Sequence, residues 1–538
     1  MLDLIIKGGL VYDGSGTPEV RCDVGVSDGR VVEIGQLDGA PSRRSVGADG
    51  LVVAPGFVDV HTHGDLLGFP GWQDEDVLLA AVRQGVTTHI VGNCGFSMFP
   101  HGSDSQDVHA HVESLLSRQP RVWPSLGSYR DAAEQSGLVI NTASLVGHGS
   151  ARAALGAVDG NLTGAMREQL AAYVDQALHE GAVGLSSGLI YAPGIDSDTA
   201  ELVAAARPLR KYGLPYVTHI RGETDMVLEA VAEAITIAEH AGVALHLSHH
   251  KIAGAANWGR SRETLALIAE KRAAGVDITL DVYPYTASST SLHSVLPNSV
   301  QAGGFGQMLR RIAEREVRER IRRAIIIEPS GWENMARAAG WNGIRIARAP
   351  GQEWAHGLTL QDIADRLGGD GLDALFELQL LTGEPITVIL AVLDEADVER
   401  VIAAPGVMIG SDGIPLPGKP HPRWAGSFVR VLGEYVRERG VLDLPEAIHR
   451  MSGMPARRFR LPGRGFLREG FAADIVVFDP DEIGDQNTFD DPLAEPAGVL
   501  AVVVNGAVVV DNGTFTGDHA GEFLRPAARE SATAGASR

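Results

Sequence analysis

One pattern repeats through the middle of the chain and constrains its fold more than any other feature. It is an amphipathic helix, a glycine, and a short β-rich run that ends in polar or ligand-capable residues. The pattern appears as Arg83-Gln-Gly85 before the run Val86 to Cys94, and as His179-Glu-Gly181 before Ala182 to Gly188. It returns at Lys211-Tyr-Gly213 before Leu214 to His219, at His240-Ala-Gly242 before Val243 to His249, and at Ala274-Gly275 before Val276 to Tyr283. Glycine at that point is the left-handed residue that ends a helix, so helix and strand alternate. Leu51 to His63 in front, Val139 to His148 inside and Val407 to Asp412 at the end bring the number of strands to eight, which closes a parallel barrel. An open doubly wound sheet also accommodates that number, but gathers its functional residues at one switch point. Here nearly every strand ends in a candidate, as a barrel with a single mouth requires. The expected fold class is α/β, a (β/α)₈ TIM barrel.

The flanks have a different texture. Leu4 to Val11 and Asp23 to Ile34 alternate like strands and are broken by Asp13-Gly14 and Asp28-Gly29, both hairpin signals. The same style resumes at Ile475 to Asp479 and in the hairpin Val499 to Val510 around Asn505-Gly506. A small β-sandwich domain built from both chain ends, residues 1–54 and 464–515, is therefore expected beside a barrel over 55–463. The long interval of about 290–400, with a charged helix from Arg310 to Arg323, reads as a mouth-side insertion. The Ala- and Ser-rich tail 526–538 is expected to be disordered.

Composition narrows the function classes. A formal net charge of −22 points away from nucleic acid and toward a soluble protein, and speaks to solubility rather than to substrate. Cys22 and Cys94 are too few for a secreted disulfide framework, the N-terminus lacks signal-peptide features, and no run approaches a membrane span. A cytoplasmic location is expected, with no membrane partner. Nothing in the sequence reads out an oligomeric state.

The chemistry begins at His61-Thr-His63. Residues i and i+2 of a strand point to one side, so two imidazoles aim at one point, a geometry that suits a metal. Cys94, His219 and His249 stand at other strand ends, and a thiolate with neutral imidazoles favours zinc. The bland alternatives are a small buried cysteine and hydrogen-bonded core histidines. His250 must face away from His249. Asp412 ends the last strand, beside the first in a closed barrel, and is placed to serve as general base for a metal-activated water; its bland reading is a helix N-cap. Lys251, Arg221 and Arg423 are candidate anchors for a substrate anion or, equally, partners in structural salt bridges. His148 and Arg152 are weaker candidates.

These motifs, in order, carry a family resemblance: His61-Thr-His-Gly-Asp65, Gly92-Asn-Cys-Gly-Phe-Ser97, Gly147-His148, Gly184 to Gly194, His219-Ile-Arg-Gly-Glu223, Ser248-His-His-Lys251, Tyr283-Pro-Tyr285, Gly410-Ser-Asp-Gly413 and His421-Pro-Arg423. From about Leu2 to about Gly513 the chain resembles the amidohydrolase superfamily, specifically its N-acyl-D-amino-acid deacylase (D-aminoacylase) family. The resemblance implies one tight zinc held by Cys94, His219 and His249, a weaker second site at His61 and His63, and Asp412 as catalytic base. It implies a substrate carboxylate held by Lys251, Tyr283, Ser289 and Arg423, with Tyr191 also against the substrate. The fourth strand, Ala182 to Gly188, has no lysine or acid, unlike superfamily members that place a carboxylated lysine there between two metals. The expected function is zinc-dependent removal of the N-acyl group from N-acyl-D-amino acids. A related amidohydrolase acting on a cyclic amide or a D-dipeptide is the alternative. A non-catalytic scaffold is a third, disfavoured by the retained ligand positions.

Overall fold

The computed structural model describes residues 1–69, 74–102, 106–116, 120–327 and 332–529. Strands Phe57–Asp59, Val86–Val91 and Asn141–Ser144 form one parallel sheet in that order. A second parallel sheet runs Val146–Gly147, Leu185–Gly188, Tyr216–His219, Leu245–Leu247, Ile278–Val282 and Val407–Ile409. Leu145 separates the two where they meet: its amide donates to the Val91 carbonyl at 2.9 Å, and that of Val146 to the Gly184 carbonyl at 3.0 Å. At the opposite edges Thr62 bridges to Gly413, and the Asp412 amide donates to the His61 carbonyl at 2.7 Å. The strand residues are almost all buried, as expected of parallel strands covered by helices.

The helices between them form for ordinary reasons. Val227–Ala241 buries Val227, Ala230, Val231, Ala234, Ile235 and Ala238, an apolar stripe at helical spacing, and turns Glu229 and Glu239 outward. It stops at Gly242, whose left-handed φ of 70° lets its amide return to the Ala238 carbonyl. Among the described residues no helix is long and apolar enough to cross a membrane.

The expected front strand Leu51 to His63 divides in two at Gly56. Val52–Pro55 joins the sheet of the chain ends and Phe57–Asp59 the parallel sheet, and at Gly56 between them a Cβ would lie 2.3 Å from the Thr87 side chain, so the position takes no larger residue. His61 and His63 therefore sit just beyond a strand end.

Both chain ends share one nine-stranded sheet. Its order is Thr514–Phe515, Ala507–Asp511, Val499–Val504, Ile475–Phe478, Val52–Pro55, Leu2–Val11, Val20–Ser27 and Arg30–Gly35, with Ser42–Gly47 also paired to Leu2–Val11. Leu4, Ile6, Val24, Val53, Ile475 and Val503 belong to its own core. Asp28-Gly29 and Asn505-Gly506 form two-residue turns with positive φ at both positions, as their sequences predict. Asp13-Gly14 does not: strands Leu2–Val11 and Val20–Ser27 are joined by a longer loop in which the Asp13 carboxylate accepts the Ser15 amide at 2.8 Å.

Within the long interval, Ser288–Ser291, Thr387–Leu390 and Ile344–Arg348 form a small antiparallel sheet. The single helix expected over 310–323 is two, Phe305–Ile312 and Arg315–Ile326. Of the expected disordered tail, 530–538 lies outside the described residues. Residues 526–529 are held instead, the Ala527 amide donating to the Arg460 carbonyl at 2.8 Å.

Gly92 tests how tightly the fold fixes the loop after Val86–Val91. Its φ is 78°, and an added Cβ would stand 2.4 Å from the Leu145 carbonyl oxygen. Gly92→Ala is expected to cost more than the ~1–2 kcal/mol of the left-handed penalty alone. Gly35→Ala, at a strand end with no atom within 4 Å of its Cβ, should leave the thermal midpoint unchanged. Equal midpoints for the two variants would refute this account.

Candidate metal centre and anion site

Three strand ends deliver their side chains to one point through an unusual backbone. Cys94, His249 and Asp412 have φ of 52°, 35° and 49°, left-handed values that cost on the order of 1–3 kcal/mol at residues other than glycine. Cys94 stands between Gly92 and Gly95, which share its handedness, while Asn93 caps the strand by donating to the Ile90 carbonyl at 2.8 Å. The Ser186 hydroxyl receives the Gly95 amide at 3.0 Å and locks the loop onto the fourth parallel strand.

The Cys94 sulfur lies 3.3 Å from His61 Nε2, 3.5 Å from His249 Nε2 and 3.8 Å from His219 Nδ1. Asp412 Oδ1 is 3.3 Å from Nε2 of both His61 and His63. Two donor sets result, Cys94 with His219 and His249, and Cys94 with His61, His63 and Asp412, and within each the ligand atoms lie within 4.8 Å of one another. All these residues are buried.

Burial favours the neutral forms, yet the Cys94 thiol is held well below its ordinary pKa by His61, His219 and His249. Burial likewise opposes charge on His61 and His63, but Asp281, Cys94 and Asp412 hold His61 well above its usual value, and Asp412 and Cys94 raise His63 to about 9. Asp412, despite burial, is kept well below the carboxylate range by Arg423, His249 and His61. A thiolate and a carboxylate thus demand positive charge at their centre. A divalent cation supplies it, and the soft sulfur with imidazole nitrogens fits zinc. His219 Nε2 and His63 Nδ1 are buried without a hydrogen-bond partner.

Carboxylates behind the ligands fix them. Asp281 accepts the His249 amide at 2.9 Å and faces His246 Nε2 at 2.9 Å and His61 Nδ1 at 3.4 Å. Asp59 accepts the amides of His61 at 3.1 Å and Ser411 at 2.9 Å, tying the first strand end to the last. Asp65 accepts the Gly92 amide at 2.9 Å, and burial pushes the carboxyls of Asp59 and Asp65 up to about 7.

Beside the cluster, Lys251 Nζ and the Arg423 guanidinium lie 5.6 Å and 4.6 Å from the centre of the Tyr283 ring. The Tyr283 hydroxyl is buried without a partner. Arg423 is paired with Asp412 at 2.8 Å and donates to the backbone carbonyl of Ser289 at 3.2 Å. Tyr191 closes the other side, its ring edge-on to His219 at 5.3 Å and its hydroxyl 3.0 Å from that of Thr290. Two cations and an orphaned phenol thus surround one buried place.

The structure thus brings together Cys94, His219, His249, His61, His63, Asp412, Lys251, Tyr283, Arg423 and Tyr191, with Ser289 reached through its backbone. Other candidates resolve as structural. Arg221 is paired with Glu233 at 2.8 Å, while His148 and Arg152 share the buried Glu201 at 2.9 Å and 3.0 Å. His250 faces away, its Nε2 2.8 Å from the Thr264 hydroxyl. Sequence reasoning missed Asp59, Asp281 and Glu223. The first two had a signal, an acid two residues before His61 or Tyr283 within an apolar strand and hence on the same side. Glu223 had only its place four residues past His219.

Parallel strands ending in a thiolate and imidazole cluster, with an ionised aspartate beside it, define a metal-centred α/β hydrolase. The chain belongs to the amidohydrolase family, whose sequence profile it matches over residues 44–510. It is 37% identical over 533 residues to a D-aminoacylase of Alcaligenes xylosoxydans xylosoxydans, covering 97% of each chain. Among solved structures it is similar to N-acyl-D-glutamate deacylase of Bordetella bronchiseptica complexed with zinc and a phosphonate inhibitor that mimics the tetrahedral intermediate. That likeness has a TM-score of 0.84 and 37% identity over 97% of this chain and 99% of that one. A D-aminoacylase described as having a binuclear metal centre, with one-metal activation and second-metal attenuation, matches with TM-score 0.82 and 33% identity over 98% and 100% of the chains.

Cys94→Ser is expected to lose most of the bound metal, since the sulfur belongs to both donor sets. Cys22, buried in the core of the nine-stranded sheet, serves as control, and Cys22→Ser should bind as wild type does. Metal analysis of the purified proteins decides, and equal stoichiometry in all three would refute the assignment.

Proposed function

We propose that this chain is a zinc-dependent hydrolase that removes the N-acyl group from N-acyl-D-amino acids, releasing a carboxylate and a free D-amino acid. The observation that carries the reading is the juxtaposition of the cluster of Cys94, His219 and His249 with the Lys251, Tyr283 and Arg423 anion receptor. The family and the deacylase relatives support it. Cys94, His219 and His249 would hold the tight zinc, and His61 and His63, facing Asp412, would make a weaker second site. Zinc in such a cradle acidifies water and polarises a carbonyl.

The chain's own residues supply the rest. Lys251, Arg423 and the Tyr283 hydroxyl bind the substrate carboxylate, with Ser289 and Tyr191 completing the wall, so the acyl carbonyl is presented to the Cys94 side of the site. This converts binding energy into orientation. Asp412 accepts the proton of the attacking water and passes it to the departing nitrogen. Arg423 keeps that aspartate ionised until it acts. A carboxylate receptor favours linear N-acyl amino acids over cyclic amides.

We read the two parallel sheets as arcs of one (β/α)₈ barrel, a reading supported by the Leu145 junction and the bridge from Thr62 to Gly413. The nine-stranded sheet is read as the folded-over sandwich of a second domain, supported by its separate core. A free thiol at the centre of the site suits a reducing, cytoplasmic compartment.

Asp412→Ala should abolish turnover of N-acetyl-D-amino acids while retaining about one equivalent of zinc. Loss of zinc together with activity, restored on adding metal, would make Asp412 a ligand and not the base. A panel of N-acetyl-D- and N-acetyl-L-amino acids, D-dipeptides and hydantoins tests the substrate class, and turnover of rings only would overturn it. Lys251→Met is expected to raise KM far more than it lowers kcat, and the opposite split would remove Lys251 from the receptor.

A further inference from the structure

Glu223 lies in the loop after Tyr216–His219, is buried, and has no role in the mechanism above. Its Oε1 stands 2.6 Å from Lys251 Nζ, 3.2 Å from His249 Nδ1 and 3.7 Å from His219 Nε2. Its backbone is pinned, the amide donating to the Glu333 carboxylate at 3.0 Å and the carbonyl accepting the Ala253 amide at 2.8 Å. The side chain therefore points at these three groups by construction.

The two imidazole nitrogens it faces are those turned away from the sulfur, since His219 Nδ1 and His249 Nε2 are the atoms directed at Cys94. A ring that gives one nitrogen to a metal carries its proton on the other, and a buried N–H must find an acceptor. Among the described residues, Glu223 is the carboxylate that both nitrogens face: Oε1 lies 3.2 Å from His249 Nδ1 and 3.7 Å from His219 Nε2, which has no hydrogen-bond partner of its own. Lys251 Nζ is also 2.6 Å from His249 Nδ1. When that nitrogen carries a proton, the two donors repel unless one acceptor lies within reach of both, and Glu223 Oε1, 2.6 Å from Nζ and 3.2 Å from Nδ1, is that acceptor.

We propose that Glu223 is a positioning residue that serves both halves of the site: it fixes the proton placement of His219 and His249 toward zinc and aims Lys251 at the substrate carboxylate. The inference rests on the deacylase reading for its second half only. Metal affinity and substrate affinity are then linked through one side chain.

Glu223→Gln and Glu223→Asp, each alone and combined with Lys251→Met, test the proposal. The readouts are zinc release from purified holoenzyme to a chromogenic chelator, KM and kcat for an N-acetyl-D-amino acid at saturating zinc, and thermal midpoint. Glu223→Gln should hold zinc about 10–100-fold more weakly, as loss of a partner behind a ligand does. KM should rise several-fold with a smaller change in kcat. In the Lys251→Met background the same substitution should no longer move KM, yet should still loosen zinc. Glu223→Asp, which keeps the charge, should recover part of the zinc affinity. A lowered midpoint with zinc release and KM within twofold of wild type would reduce Glu223 to a structural residue and overturn the proposal. So would a KM effect that persists undiminished without Lys251. If wild-type holoenzyme hydrolyses no N-acyl-D-amino acid, the deacylase reading fails, and the zinc-release arm still decides whether Glu223 positions the histidines.

Discussion

The Cys94 sulfur is the point on which the site depends. Burial opposes ionisation of a thiol, and here three imidazoles within 3.3–3.8 Å act the other way and hold the Cys94 thiol well below its ordinary pKa. Those imidazoles are then committed. His61 must also serve Asp281 and Asp412, and His249 must also serve Glu223, so every charge introduced near the sulfur recruits another of opposite sign behind it. The result is a layered arrangement in which a cation at the centre relieves strain in all layers at once. That is why a metal fits better than protons alone.

The fold supplies this convergence by spending backbone conformation. Left-handed φ at Cys94, His249 and Asp412 turns three chains sharply at the moment they leave their strands, and their side chains point inward where a straight strand would alternate. The turns are held by hydrogen bonds that cross between strands: Ser186 to the Cys94 loop, Asp281 to the His249 amide, and Asp59 to both His61 and Ser411. The acids that orient the metal ligands are also the residues that join neighbouring strand ends. Architecture and chemistry share atoms, and a change at either is felt by the other.

Much of this was legible in the sequence for a definite reason. Parallel strands announce themselves by apolar runs after a glycine, so Cys94, His219, His249 and Asp412, at or just past the ends of such runs, stand out as candidates, while the division of roles among them is what the family resemblance implies. The two-residue turns at Asp28-Gly29 and Asn505-Gly506 were legible because positive φ at two successive residues selects few side chains. What was hidden depends on tertiary approach. An apparently single strand divides at Gly56 because its two halves pair with different sheets, and Asp13-Gly14 resembles a hairpin tip until Asp13 is seen bonding to Ser15. Glu223 stands in a loop whose course no periodicity describes. Arg221, two residues earlier, looked the better candidate because a cation stands out in an acidic chain, yet it is taken up by Glu233.

The two anchor cations show how an acidic protein can receive an anion. Each is already paired, Arg423 with Asp412 at 2.8 Å and Lys251 with Glu223 at 2.6 Å, so neither is an isolated buried charge. The pairing leaves their faces toward Tyr283 available, and the ring holds the two apart while its own buried hydroxyl lacks a partner. A carboxylate arriving there meets two cations and a hydroxyl donor in a place sheltered from water, where short-range attraction outweighs the repulsion of a distant, screened surface of net charge −22. Arg423 touches both the proposed base and the proposed anchor point, so a carboxylate bound there would share the guanidinium with Asp412.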